Sequence, residues 1–178
     1  MQMRRLIIPR SVRRLRERLR HRLIRGESGS ALIELALVVG ILGVPLLLGT
    51  AEMGILGYDS IEVADAANAG ALYGMRSQVF AADNTDMTAA AQAEASDFGT
   101  NLGVTPSTYY VCASAVTGTQ YTGTNAQANA QAACTGTNNH AIQLVQVNTS
   151  ITVTPPVRCP GLPSSFTLHG TSVMEVEQ

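Results

Sequence analysis

The 178-residue chain contains no lysine, and from Leu35 to Ala51 it contains no charged residue of either sign. It also lacks the motifs that carry catalysis: there is no nucleophile elbow, no Gly-rich phosphate loop and no zincin helix. The three histidines, His21, His140 and His169, have no Cys, Asp or Glu at a metal-ligand spacing. Asp83 and Asp86 are too few acids for a calcium loop. These absences argue against an enzyme and against a bound metal or cofactor. The match of Asn148-Thr149-Ser150 to a glycosylation sequon is read as chance.

What charge there is lies in two opposed blocks. All twelve basic residues are Arg, and ten of them fall between Arg4 and Arg25, where Glu17 is the only acid, so this stretch carries +9. The rest of the chain holds twelve acids against Arg76 and Arg158 and carries −10, which restores the net charge of −1. Such a split points to a membrane or polyanion at one end. The basic stretch has no aromatic residue to stack on bases, so nucleic acid is not the expected partner. Val12, Leu15, Leu19 and Leu23 share one face of a basic helix over residues 10–25, which reads first as a topology signal.

Beside the arginines runs an apolar segment. Ser30 to Ala51 is 22 residues with a single charge, Glu34. As a helix it spans about 33 Å, the thickness of a bilayer's hydrocarbon core. Gly40, Gly43 and Pro45 would weaken a soluble helix but are common in membrane helices. The run is longer than a signal-peptide core, and no small-x-small cleavage site follows it. The expected topology is therefore a single pass, with the arginines in the cytoplasm and residues from about 53 onward outside.

The helix is expected to continue over residues 52–80, with Ile61, Ala64, Ala71, Leu72, Met75 and Val79 as its apolar stripe and Asp59, Glu62 and Asp65 elsewhere. Gly54, Gly57, Gly70 and Gly74 each cost such a helix about 1 kcal/mol unless close packing needs them. Asp83-Asn84-Thr85-Asp86 reads as a turn with cap candidates, followed by an Ala-rich helix from Met87 to Phe98 that breaks over Gly99 to Pro106. Tyr109 to Val116 is a candidate strand. Val145, Val147, Ile151 and Val153 alternate with Gln146, Asn148, Ser150, Thr152 and Thr154, and Phe166, Leu168, Met174 and Val176 share one parity. This is the pattern of an antiparallel sheet with one buried face. Residues 117–140, rich in Thr, Gly, Asn, Gln and Ala, read as a long exposed loop. Cys112, Cys134 and Cys159 all follow the apolar run, on the side where oxidation is permitted. One disulfide with one thiol left over is the simplest count; all three pairings stay open. A Cys112–Cys134 bridge would close the loop and stabilise by about 3 kcal/mol.

The most specific feature is the junction Gly26-Glu27-Ser28-Gly29-Ser30-Ala31-Leu32-Ile33-Glu34-Leu35, where a glycine is followed five residues later by a lone glutamate inside an apolar helix. It resembles the cleavage site of type IV prepilin-like proteins. Together with Ala31 to Leu37 and the Ala-rich stretch Ala64 to Gly74, it makes the chain similar to the TadE-like pseudopilins of tight-adherence pilus systems over residues 26–80. Leu35 stands where that family usually has an aromatic, and a 29-residue leader is long.

The resemblance implies cutting by a prepilin peptidase after Gly29, with Ser30 as the new terminus and Glu34 as the fifth mature residue. It implies an α+β fold: a leader over residues 1–29, a transmembrane helix over 30–51, its continuation over 52–80, and a pilin-like domain over 81–178 with a second helix and a small antiparallel sheet. It implies the inner membrane as location, an extracytoplasmic carboxyl-terminal domain, and other pilins, pseudopilins and the pilus platform as partners. The expected role is that of a minor pseudopilin in pilus assembly and adhesion, with a permanently anchored adapter or binding protein as the alternative. Physically, an acid at mid-bilayer costs about 2.5–3.5 kcal/mol. The free α-amine of a processed Ser30 and Glu34 are opposite charges that could pair between adjacent subunits and set their axial register.

Overall fold

A computed structural model describes residues 27–156 and 163–177. The basic helix expected over residues 10–25 and Cys159 lie outside the described residues. Two compact units divide the chain, residues 1–50 and 51–178.

The apolar segment is helical, as α1 (Glu27–Val38), a π-helical turn (Val39–Gly43) and the start of α2 (Val44–Gly74). The widened turn, closed by a Val44 N–H bond to the Val39 carbonyl, sits immediately before Pro45. Proline has no N–H to give to the carbonyl four residues back, and its ring crowds that carbonyl. A π turn at this point accommodates both defects without ending the helix. The sequence pattern around Pro45 does not show the π turn.

In the second unit, α2 ends at Gly74 and is followed by a short α3 (Gln78–Ala81), α4 (Asn84–Glu94), a 3-10 turn at Gly99–Asn101, β1 (Gly103–Cys112), α5 (Ala126–Ala133), β2 (Ala141–Val153) and β3 (Phe166–Glu175). The three strands form one antiparallel sheet in the order β1-β2-β3. The fold is α+β, with a long amino-terminal apolar helix and a small antiparallel sheet. Asp83 caps α4 as its side chain accepts from the N–H groups of Thr85 and Asp86 at 3.1 and 3.0 Å. The helix ends at Glu94 instead of Phe98, where Gly99 turns the chain with φ +52°.

β1 begins six residues earlier than the strand expected at Tyr109 and ends at Cys112. The break read over Gly99 to Pro106 thus takes in the start of β1, which is an edge strand of the sheet, where proline is tolerated. The alternation in β2 and β3 holds: Val145, Val147 and Ile151 lie opposite Met174, Ser172 and Leu168 on one sheet face. That face carries the core. Val145, Val147 and Val176 pack with Ala71, Ala81 and Met87, and Val63, Ala66, Ala91, Ala95 and Leu102 pack with Ile151 and Leu168 beside them.

The stripe that α2 turns to this core is Val63, Ala66, Ala67, Gly70, Ala71 and Gly74, at helical spacing. This corrects the expected stripe. Ile61, Leu72 and Val79 are exposed, Ala64 is exposed, and Met75 is only half-buried. Small residues face inward because the sheet comes very close. A Cβ at Gly74 would stand 2.6 Å from Met87 Sδ, and one at Gly70 would stand 3.1 Å from the Met87 carbonyl oxygen and from Val147 Cγ1.

The opposite sheet face holds a second cluster, Tyr109, Val111, Ile142 and Leu144. The segment expected to be an exposed loop over 117–140 contains α5, which buries Ala126 and Ala130. Cys134, at the end of α5, is bonded to Cys112 at the end of β1. A helix of alanines with few large apolar residues carries too weak a periodic signal to be read from sequence.

Candidate processing and assembly region

The junction around Gly29 lies at the start of the helix. α1 begins at Glu27, so Gly29 and Ser30 belong to its first turns. Ser30 and Glu34 are four residues apart on a helix and therefore share a face. Gly29, Ser30 and Glu34 are all exposed. Nothing lies within 4 Å of a Cβ built at Gly29, so the packing of the chain does not require glycine at this position. The same is true of Gly40, Gly49, Gly54 and Gly57, in contrast to Gly70 and Gly74.

The helical stretch Gly29–Gly74 is 46 residues long, and its most apolar window is wholly unburied within the chain. Leu32, Ile33, Leu46 and Leu47 are each more than 60% exposed. Large apolar side chains presented on all sides of a helix need a non-aqueous surround or partner helices. Among the described residues this is the one helix long and apolar enough to cross a membrane.

Beyond residue 51 the polar groups are arranged for structure. Tyr73 donates its hydroxyl to Asp86 at 2.8 Å, which pushes the phenol's pKa up, and stacks edge-on against Phe80 with ring centroids 5.1 Å apart. Arg76 lies over the Tyr73 ring at 5.8 Å. Asp59 is raised above its ordinary value, first by partial burial and then by the nearby charge of Asp97. His140, Glu175 and Glu177 line a cavity of about 360 Å³ at one end of the sheet, but among the described residues no group of three or more His, Cys, Asp or Glu side chains is placed to hold a metal.

Sequence reasoning missed Thr149 and Gly170, which join the sheet to α2. The Thr149 hydroxyl donates to the Val63 carbonyl, and a Cβ at Gly170 would meet both groups at 2.5 Å. Thr149 sits in an alternating strand where a polar residue on the buried parity was the available signal.

No curated protein and no solved structure matches the chain. The family model described as TadE-like protein matches residues 29–72, from the glycine of the junction to the stripe that packs on the sheet. Over that helical segment the chain is similar to the TadE-like family.

Proposed function

We propose that the protein is a minor pilin-like subunit of a tight-adherence pilus system, with a structural role in pilus assembly. The observation that carries this reading is the coincidence, at one point of the helix, of a glycine the fold does not need and a lone acid five residues later. Both lie inside the segment that matches the TadE-like family. An ionisable residue inside a membrane helix is costly and is retained for function. Prepilin peptidase cuts after Gly29 on the cytoplasmic face. The new α-amine of Ser30 pairs with Glu34 of a neighbouring subunit, and the exposed apolar helix packs with those of other pilins and of the inner-membrane platform.

In this reading the arginine-rich segment stays in the cytoplasm, and the sheet domain lies outside the inner membrane, where the Cys112–Cys134 bond is stable. The role involves no catalysis.

Mass spectrometry of the mature protein, from cells with an active prepilin peptidase, tests the proposal. An amino terminus at Ser30 is the expected result, and a terminus at Met1 would overturn it. Gly29→Val is expected to abolish cutting and assembly together. If the chain were a permanently anchored adapter, that change would leave function intact.

A further inference from the structure

The face of α2 that points away from the sheet is not a plain polar surface. Tyr58, Ile61 and Leu72 stand on it at helical spacing and are 60%, 62% and 51% exposed. Around Tyr58 and Ile61 lies a ring of acids. Glu62, Asp65 and Glu94 line, with these two residues, a cavity of about 190 Å³. Asp97 donates its backbone N–H to Glu62 Oε1 at 3.2 Å, and partial burial, followed by the nearby charge of Asp97, holds the Asp59 carboxyl above its ordinary value. The second Glu62 oxygen is shielded from water and meets no donor among the described residues.

The domain has little with which to neutralise this face. Beyond Gly26 the chain has only Arg76 and Arg158 against twelve acids, and Arg76 is engaged over Tyr73. A second copy would bring the same surplus of acids to the same place, and like charges pressed together disfavour association.

We propose that this face, centred on Ile61 and bounded by Asp65 and Glu94, docks a basic amphipathic helix of a different chain. Its apolar residues at i, i+3 and i+7 cover Tyr58 and Ile61, while its Lys or Arg side chains meet the acids. Recognition of this kind places apolar anchors in a groove and reads the partner by flanking charge. The face lies within residues 58–97 and is the same whether or not the chain is cut after Gly29, so its test is separate from that of processing.

The test uses the full chain in zwitterionic nanodiscs and two synthetic helical peptides. They share apolar residues at i, i+3 and i+7, flanked by Lys and Arg in one and by Glu in the other, and empty discs give the background. Fluorescence anisotropy is expected to show the basic peptide binding more than about tenfold tighter, with affinity falling about tenfold from about 50 to about 300 mM NaCl. The double change Asp65→Arg and Glu94→Arg, at surface positions, is expected to reverse the preference, and Ile61→Ser to weaken both. Equal binding of the two peptides overturns the proposal, as does a preference unmoved by the double change. Efficient disulfide crosslinking of two Ile61→Cys copies within one disc does so too, by assigning the face to a second copy.

Discussion

The hydroxyl of Thr149, on the central strand, donates to the backbone carbonyl of Val63, on α2, across 2.7 Å and 86 residues of sequence. A helical carbonyl has a second lone pair to offer, and Thr149, only 2% exposed, has no water to turn to. The contact is possible because the strand beside it has glycine at the crossing point. A side chain at Gly170 would meet Thr149 Oγ1 and the Val63 carbonyl oxygen at 2.5 Å and Ala64 Cα at 2.9 Å.

Gly170→Ala therefore forces the sheet away from α2. Two of the atoms it meets are backbone and cannot swing aside. Equilibrium urea unfolding in detergent micelles is expected to show a loss of about 2–3 kcal/mol, the range of overpacking in a tight core. Gly54→Ala is the matched control. It points into open space and removes a poor helix former, so stability is expected to rise by up to about 1 kcal/mol. Equal effects of the two changes would refute the close approach.

Thr149→Val keeps the shape and removes the donor. The expected cost is about 1–2 kcal/mol, since the hydrogen bond is buried while the Val63 carbonyl keeps its place in the helix. Hydrogen exchange would show faster opening of α2 around Val63, with the disulfide-bonded end of the sheet unchanged.

Cys112→Ser with Cys134→Ser removes the tie that holds α5. The chain-entropy account gives a loss of about 3 kcal/mol for a bridge across 22 residues. Limited proteolysis is expected to cut first between residues 113 and 140, while the helix–sheet core, which lies on the other face, remains protected.

Asp59 sets a dependence on pH. Its carboxyl is raised above 3.8 in the folded chain by burial and by Asp97. The folded state thus binds protons more readily than the unfolded state, and stability falls as pH rises from 3.8 through the raised value. Asp59→Asn should raise the Tm at pH 7 and have no such effect below pH 3.8. The gain is expected to stay under about 1 kcal/mol, because solvent screens a carboxylate this little buried. A Tm difference that is the same at both pH values would exclude this origin.

Much of the chain could be read before folding was considered. The apolar run after the arginines, the alternation of Val145, Val147 and Ile151, and the cap at Asp83 are local patterns, and each corresponds to an element of the structure. The inward face of α2 is not the one that its large apolar residues mark. Where a helix crosses a sheet this closely, volume decides: Ala66, Ala67, Gly70 and Gly74 go inside, and Ile61 and Leu72 stay out. α5 is not legible in the sequence because its Ala, Gln and Asn residues carry no apolar period, and its bond to Cys112 is a pairing that cannot be read from cysteine spacing.

The amino-acid sequence alone determined that a long apolar helix follows a cationic block, that a glycine and a single acid mark its beginning, and that alternating strands close the chain. These follow from transfer energies, charge and periodicity, which act residue by residue. Only the tertiary structure decided which side of α2 is buried, which cysteines join, and which acids gather around Ile61. Those depend on how closely backbones distant in sequence approach one another, and steric fit between such segments leaves no local pattern to read.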